Sequence, residues 1–100
     1  MNLLSTAEVA KKVEQAIYEG LVGESFISGV PERIEVKTVV LYETVQVLVG
    51  GRAVVTAGFF NKILSDMKRA GIIGTARGGE VAFLSQHSFD RELRNHRGAR

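Results

Sequence analysis

The sequence predicts a mainly α-helical fold that carries one small β-hairpin. Two segments, residues 5–23 and 56–71, have apolar residues at the three- and four-residue spacing of amphipathic helices. A third segment, residues 72–84, has two short apolar runs on either side of a glycine-rich turn, which is typical of a hairpin. The chain's 100 residues suffice for one modest hydrophobic core, so we expect residues 1–100 to form a single domain.

The composition is that of an ordinary globular protein, and it excludes several kinds of site. The chain has no cysteine, which excludes disulfides, thiolate metal sites and cysteine nucleophiles. No apolar run approaches the roughly 18 residues of a membrane span. The first residues lack the pattern of a signal peptide. We therefore expect a cytoplasmic protein with no membrane partner.

Charge is distributed unevenly along the chain. Residues 1–50 contain four Lys and Arg against seven Glu, whereas residues 51–100 contain nine Lys and Arg against four acidic residues. A basic second half fits an anionic partner, and it equally fits a solvated surface with a basic tail. Charge alone leaves both interpretations open.

The first predicted helix begins at a capping box. Ser5 and Glu8 have the three-residue spacing with which a hydroxyl and a carboxylate satisfy the first N–H groups of a helix. Apolar residues then recur on one face from Val9 to Leu21. Gly20 and Gly23 predict the end of the helix.

Residues 31–55 admit two predictions. Their many β-branched residues favour a strand hairpin that turns at Gly50 and Gly51. Against this, Pro31 suits the first position of a helix. A helical spacing of three and four is also followed by Ile34, Thr38, Leu41, Val45 and Leu48. The segment is therefore either helical or a hairpin.

The next helix and the hairpin have clearer boundaries. Thr56 is a suitable N-cap, and Gly71 ends the helix that follows. We interpret Lys68 and Arg69 near its end as complements of the helix dipole. Two strands, residues 72–73 and 81–84, then enclose the turn GTARGGE. One or two helical turns follow over residues 88–95, and residues 95–100 are expected to form a disordered basic tail.

The run from Val55 to Leu84 resembles the second half of a winged helix-turn-helix domain. It is most similar to the DNA-binding domain of the cyclic-AMP receptor protein/FNR class of bacterial regulators. In that class a small capping residue opens a recognition helix that ends in a glycine followed by apolar residues. Here these are TAGFFNKILSDMKRAGII, followed by GTARGGEVAFLS as the wing and SFDREL as a short helix. The resemblance covers about the last half of the chain.

The sequence departs from this family at two places. Gly50 and Gly51 lie in the helix before the turn, and they predict that this helix ends early or that the turn is longer. Ala57 and Gly58 stand where the family has long polar side chains, so we expect weaker sequence-specific reading of bases than the fold match alone implies.

The resemblance implies a DNA-binding surface on the recognition helix and the wing. A helix of this kind fits the major groove, and its first N–H groups can meet a phosphate. Arg77 at the hairpin tip is placed to contact the DNA backbone or the minor groove. The helix contributes hydroxyl groups, a glycine that permits close approach, an amide and an ammonium group: Thr56, Gly58, Asn61, Lys62 and Ser65.

The predicted function is that of a duplex DNA-binding protein without a cofactor or a metal. We expect a homodimer that acts as a small transcription repressor or as a plasmid or phage partition or accessory protein. An enzyme is not expected, because no metal-ligand spacing and no phosphate-binding loop occurs. The alternative is a small α+β module that binds RNA or docks a protein, and a winged helix with a protein partner is a third interpretation.

Overall fold

The computed structural model describes residues 6–50 and 55–98, and this part of the chain forms four α-helices and one three-stranded antiparallel sheet. The elements follow in the order α1 (Thr6–Phe26), β1 (Val36–Lys37), α2 (Thr38–Val49), α3 (Ala57–Arg69), β2 (Ile73–Ala76), β3 (Val81–Leu84) and α4 (Gln86–Gly98). A short 3-10 turn, Arg77–Gly79, joins β2 to β3. The sheet order is β1–β3–β2. The predicted mainly helical fold with a small hairpin is confirmed, and β1 is an additional strand.

Helix α1 is longer than predicted, because it continues through Gly20 and Gly23 to Phe26. A Cβ on Gly20 would lie 3.2 Å from the Leu41 Cδ1 atom on α2, so the missing side chain lets the two helices approach closely. Burial of Leu21 in the same turn outweighs the roughly 1 kcal/mol that a glycine costs in a helix interior. The predicted cap at residue 5 lies outside the described residues.

Residues 31–55 contain a short strand and a helix. Strand β1 pairs with β3, and α2 begins directly after it at Thr38. Pro31 is therefore not the first residue of a helix. The hairpin alternative is wrong for residues 38–49, and its remaining part at residues 51–54 lies outside the described residues. Burial of Leu41 and Val45, four positions apart on one face, overrides the strand propensity of the β-branched residues.

Val55, shortly before the start of α3, is anchored by side chains of α2. Helix α2 ends at Val49, which agrees with one of the two outcomes predicted from the glycine pair, and Gly50 follows with φ 136°, a conformation that favours glycine. The Tyr42 hydroxyl donates to the carbonyl oxygen of Val55 at 3.0 Å, and the Gln46 amide donates to the same oxygen at 3.4 Å. Because Val55 is itself fully buried, this cluster fixes where α3 starts.

The hydrophobic core lies between α1, α2, α3 and the sheet. Helix α3 occupies the predicted segment and presents one apolar face to the core. Gly71, with φ 78°, marks the end of the α3 segment, as the sequence predicted. The fully or almost fully buried side chains include Val13, Ile17, Leu21, Val45, Val55, Phe60, Met67 and Leu84.

Helix α4 is attached to the segment that follows α3. The Ser88 hydroxyl of α4 donates to the carbonyl oxygen of Ile72 in that segment at 2.8 Å. The N–H of Ser85 donates to the same oxygen at 3.1 Å. Because α4 runs to Gly98, residues 95–98 are helical, which corrects the prediction of a disordered tail for them. Residues 99–100 lie outside the described part of the chain.

Candidate nucleic-acid interface

The first turn of α3 is capped and open to solvent. Thr56 is the N-cap, and its hydroxyl oxygen accepts from the Phe59 N–H at 3.2 Å. The first intrahelical bond is donated by Phe60 N–H to the Thr56 carbonyl, so the N–H groups of Ala57 and Gly58 precede the helical ladder. A Cβ on Gly58 would meet no atom within 4 Å. Packing therefore does not require a glycine here, and the space above this turn is open to a ligand.

The outward face of α3 is polar and carries a net positive charge. Asp66 binds two of its cations, with its carboxylate 3.4 Å from Lys62 Nζ and 3.1 Å from Arg69 Nη2. These ion pairs are exposed, and exposed pairs of this kind contribute only about 0–1 kcal/mol. No ion pair or hydrogen bond engages the Lys68 ammonium group within residues 6–50 and 55–98.

The tip of the β2–β3 hairpin is held in an uncommon backbone conformation. Arg77, Gly78 and Gly79 have φ values of 55°, 66° and 89°, and positive values are costly for Arg but not for Gly. The Arg77 guanidinium lies 3.5 Å from the Glu35 carboxylate and is 68% exposed. The Thr38 hydroxyl donates to the carbonyl oxygen of Gly79 at 2.9 Å. The first residue of α2 thus holds the hairpin tip in place through a hydrogen bond.

A groove of about 600 Å³ separates the outward face of α3 from the hairpin. We call it the α3–hairpin groove. Its two walls expose an amide, hydroxyl groups, an ammonium group and glycine backbone. The residues that line it are Asn61, Leu64, Ser65, Lys68, Thr75, Ala76, Gly78 and Gly79.

The structure brings only part of the predicted site together. Asn61 and Ser65 line the α3–hairpin groove. Thr56 and Gly58 lie at the first turn of the same helix, exposed but outside the lining. Lys62 is exposed beside the groove and bound to Asp66. Arg77 is exposed at the tip and bound to Glu35, whereas its glycine neighbours face the groove.

Two groove residues, Lys68 and Thr75, were missed by the sequence-based prediction. Lys68 lies seven positions after Asn61 and three after Ser65, so helical spacing places all three on one face. That spacing could have identified Lys68, for which a role as complement of the helix dipole was favoured over a contact with nucleic acid. Thr75 was assigned to the turn, but β2 extends to Ala76 and carries it into the groove wall.

Metal-ligand groups and membrane-spanning helices are both absent from residues 6–50 and 55–98. No group of three or more His, Asp or Glu residues there could hold a metal ion. No helix among the described residues is long and apolar enough to cross a bilayer. No protein-family model, curated protein or solved structure matches the chain.

Proposed function

We propose that this chain is a winged helix-turn-helix protein that binds duplex DNA. In this assignment α2 and α3 are the helix-turn-helix pair, α3 is the recognition helix and the β2–β3 hairpin is the wing. The direct succession of a capped amphipathic helix and a short hairpin supports it.

The α3–hairpin groove is the observation that carries the proposal. Its α3 wall is polar and basic, and its hairpin wall consists of Thr75 and the small residues Ala76, Gly78 and Gly79. The major groove of B-DNA is about 12 Å wide and admits one α-helix. With α3 in the major groove, one sugar-phosphate strand would occupy the space between helix and hairpin. The Lys68 ammonium, which has no partner among the described residues, is the cation best placed to neutralise a phosphate there.

Individual groups then have distinct roles in the complex. The Asn61 amide suits the N6 and N7 atoms of adenine, and the Ser65 hydroxyl suits a base edge or a phosphate. Lys62 exchanges Asp66 for a guanine edge or a phosphate. The first N–H groups of α3, together with the Thr56 hydroxyl, meet a backbone phosphate while Gly58 permits close approach. Arg77 exchanges Glu35 for the DNA backbone or the minor groove.

A homodimer is the assembly that we propose for this function. The outer surface of α1 carries charged residues that include Lys11, Lys12 and Glu14. Helix α2 instead exposes apolar side chains, with Val47 83% and Leu48 66% exposed, and its one charged residue is Glu43. A contact between two copies would remove these side chains from water, so we place the dimer contact on α2.

Dimerisation can be tested by sedimentation equilibrium of the free protein. Val47→Glu places a charge in the apolar face of α2 and is expected to weaken self-association at least about tenfold. Ala7→Glu, an exposed site on α1, is the matched control and should leave self-association unchanged. Equal association constants for all three proteins would contradict the α2 contact. A chain that stays monomeric up to millimolar concentration would contradict the homodimer and favour a protein-docking role for α2.

The cellular role follows only by analogy with small proteins of this fold. A cytoplasmic transcription repressor and a plasmid or phage partition or accessory protein both use such a domain without a cofactor. Selection of bound sequences from a random duplex library would separate a specific regulator from a protein that binds DNA by its backbone.

The DNA proposal is tested by anisotropy of a labelled mixed-sequence duplex, titrated with the protein at several salt concentrations. The affinity should fall with salt at a log–log slope of about −0.9 for each phosphate neutralised. Lys68→Gln should make that slope shallower by about 0.9, because it removes one such contact. Lys12→Gln, an exposed lysine on α1, is the matched control with the same loss of charge.

The Lys12→Gln control distinguishes binding at a specific DNA site from attraction of the duplex by net charge alone. Equal weakening by Lys12→Gln and Lys68→Gln would mean that the duplex responds only to overall charge, which contradicts a site in the α3–hairpin groove. Absence of binding at low salt by a folded sample would overturn DNA binding altogether.

A further inference from the structure

A second cavity, of about 280 Å³, lies between α1, α4 and the end of α3. None of its lining residues lines the α3–hairpin groove. Its walls include the buried side chain of Met67, the half-buried Ile72 and the ring of Tyr18. Its polar side chains are those of Lys11, Glu14, Gln15 and Arg91, together with the Tyr18 hydroxyl. Apolar walls combined with a few charged groups are typical of a small-molecule site, and this volume is near the lower end of such sites.

Tyr18 and Arg91 hold each other in place at this cavity. The Tyr18 hydroxyl donates to the Glu92 carboxylate at 2.7 Å and accepts from Arg91 Nη2 at 2.8 Å. The Arg91 guanidinium also lies 5.6 Å from the centre of the Tyr18 ring. Burial, followed by the bond to Glu92, raises the pKa of Tyr18, so its hydroxyl keeps its proton at neutral pH.

This arrangement leaves binding capacity for an anion. A guanidinium has five N–H donors, and the bond to Tyr18 uses one of them. Lys11 has no ion pair or hydrogen bond within the described part of the chain. Among the described residues that line the cavity, Lys11 and Arg91 therefore have free N–H donors for a ligand carboxylate, while Glu14 is the one acidic lining residue and the Glu92 carboxylate is engaged by the Tyr18 hydroxyl.

We propose that this cavity binds a small carboxylic acid with an aromatic or branched aliphatic body. The carboxylate would contact Lys11 and Arg91, and the apolar body would lie against Tyr18, Met67 and Ile72. The occupant would thus touch Met67 in the last turn of α3 and Ile72, three residues beyond its end. Binding itself requires only these side chains, so the proposal is independent of DNA binding.

The probe for this site is phenylacetate, followed through the methyl NMR signals of Met67 and Ile72 in the free protein. A ligand of this size should bind with a Kd on the order of 1 mM. Phenylacetamide and phenethylamine have similar bodies without the negative charge, and they should bind at least about fivefold more weakly. Saturable shifts confined to signals near the cavity would support the site.

Two lysine variants distinguish binding of phenylacetate in the cavity from attraction by the overall charge of the protein. Lys11→Gln should weaken phenylacetate at least about threefold, whereas Lys12→Gln at the neighbouring exposed position should leave the Kd unchanged. The NMR spectrum of each variant reports whether it is folded. The proposal is overturned if phenylacetate produces no saturable shift up to about 20 mM, well above the expected Kd. It is equally overturned if the uncharged analogue binds as tightly, or if both variants respond alike. No DNA is present, so failure here leaves duplex binding unaffected.

Discussion

Helices α2 and α3 are of similar length and lie next to each other in the chain, yet they present opposite chemistry to solvent. Helix α3 buries four apolar side chains and exposes a face of amide, hydroxyl and cationic groups. Helix α2 buries Leu41, Val45 and Gln46 and exposes most of its remaining apolar side chains, among them Val39, Val40, Val47 and Leu48.

This difference in exposed surface indicates which kind of partner each helix can bind. Single exposed apolar residues are normal in monomeric proteins, but several on one helix indicate a surface for a protein partner. A polar face with a net positive charge indicates an anionic partner instead. The two helices therefore divide the proposed function, with α3 for the duplex and α2 for a second copy of the chain.

The largest expected effect comes from the buried side of α3. Phe60 is 2% exposed, and its ring centre lies 5.0 Å from that of Tyr42 on α2. Phe60→Ala should lower the free energy of unfolding by about 3–5 kcal/mol, because it removes this packing and leaves a cavity. Val47→Ala on α2 should change it by less than about 0.5 kcal/mol. Urea unfolding below the concentration of self-association measures both.

A variant that keeps most of the volume protects this test against complete unfolding. Phe60→Leu should lose less than about 1.5 kcal/mol and remain folded. A loss for Val47→Ala as large as that for Phe60→Leu would mean that the outer face of α2 is packed within the monomer, and the contrast between the two helices would disappear.

The same contrast explains why α3 could be predicted from the sequence and α2 could not. An amphipathic helix has a hydrophobic period, and the period of α3, with Thr56 before it and Gly71 after it, determined its boundaries. Helix α2 is apolar on both faces, so no period separates helix from strand, and packing of Leu41 against α1 decides. Strand β1 is two residues long and depends on pairing with β3, which no local pattern contains.

The residues of the candidate site were likewise predictable only where the helical period places them. Asn61 and Ser65 follow from the helical period, and Lys68 belongs to the same face. Thr75 depends on where β2 ends, and the ion pair of Arg77 with Glu35 depends on the approach of β1 to the hairpin. Both are tertiary features that spacing in the sequence does not reveal.

A smaller effect is expected at the cap of α3. The Thr56 hydroxyl satisfies the Phe59 N–H, so Thr56→Ala should lower the free energy of unfolding by about 1 kcal/mol. The matched control on α2 is Thr44→Ala, whose hydroxyl donates to the Val40 carbonyl within its own helix. That bond is worth little in a helix, so the control should differ from the wild type by less than about 0.5 kcal/mol. Equal losses in thermal unfolding would show that the cap does not define the start of α3.

The smallest expected effect separates the backbone of Arg77 from its side chain. An L-residue with φ 55° is strained, whereas glycine adopts this conformation without a Cβ penalty. Arg77→Ala and Arg77→Gly both remove the ion pair with Glu35, which is exposed and contributes little. Arg77→Gly should nevertheless unfold with a free energy about 0.5–1 kcal/mol higher than Arg77→Ala, because only glycine relieves the strain.

The affinity for duplex DNA should not follow the order of stability of Arg77→Gly and Arg77→Ala. Both variants lack the guanidinium proposed to contact DNA, so both should bind the mixed-sequence duplex equally, more weakly than the wild type and with a salt slope about 0.9 shallower. An affinity that instead follows stability, higher for Arg77→Gly than for Arg77→Ala, would mean that position 77 acts through the shape of the hairpin. If the guanidinium itself makes the contact, an arginine persists at a position whose backbone favours glycine because binding, and not folding, requires it.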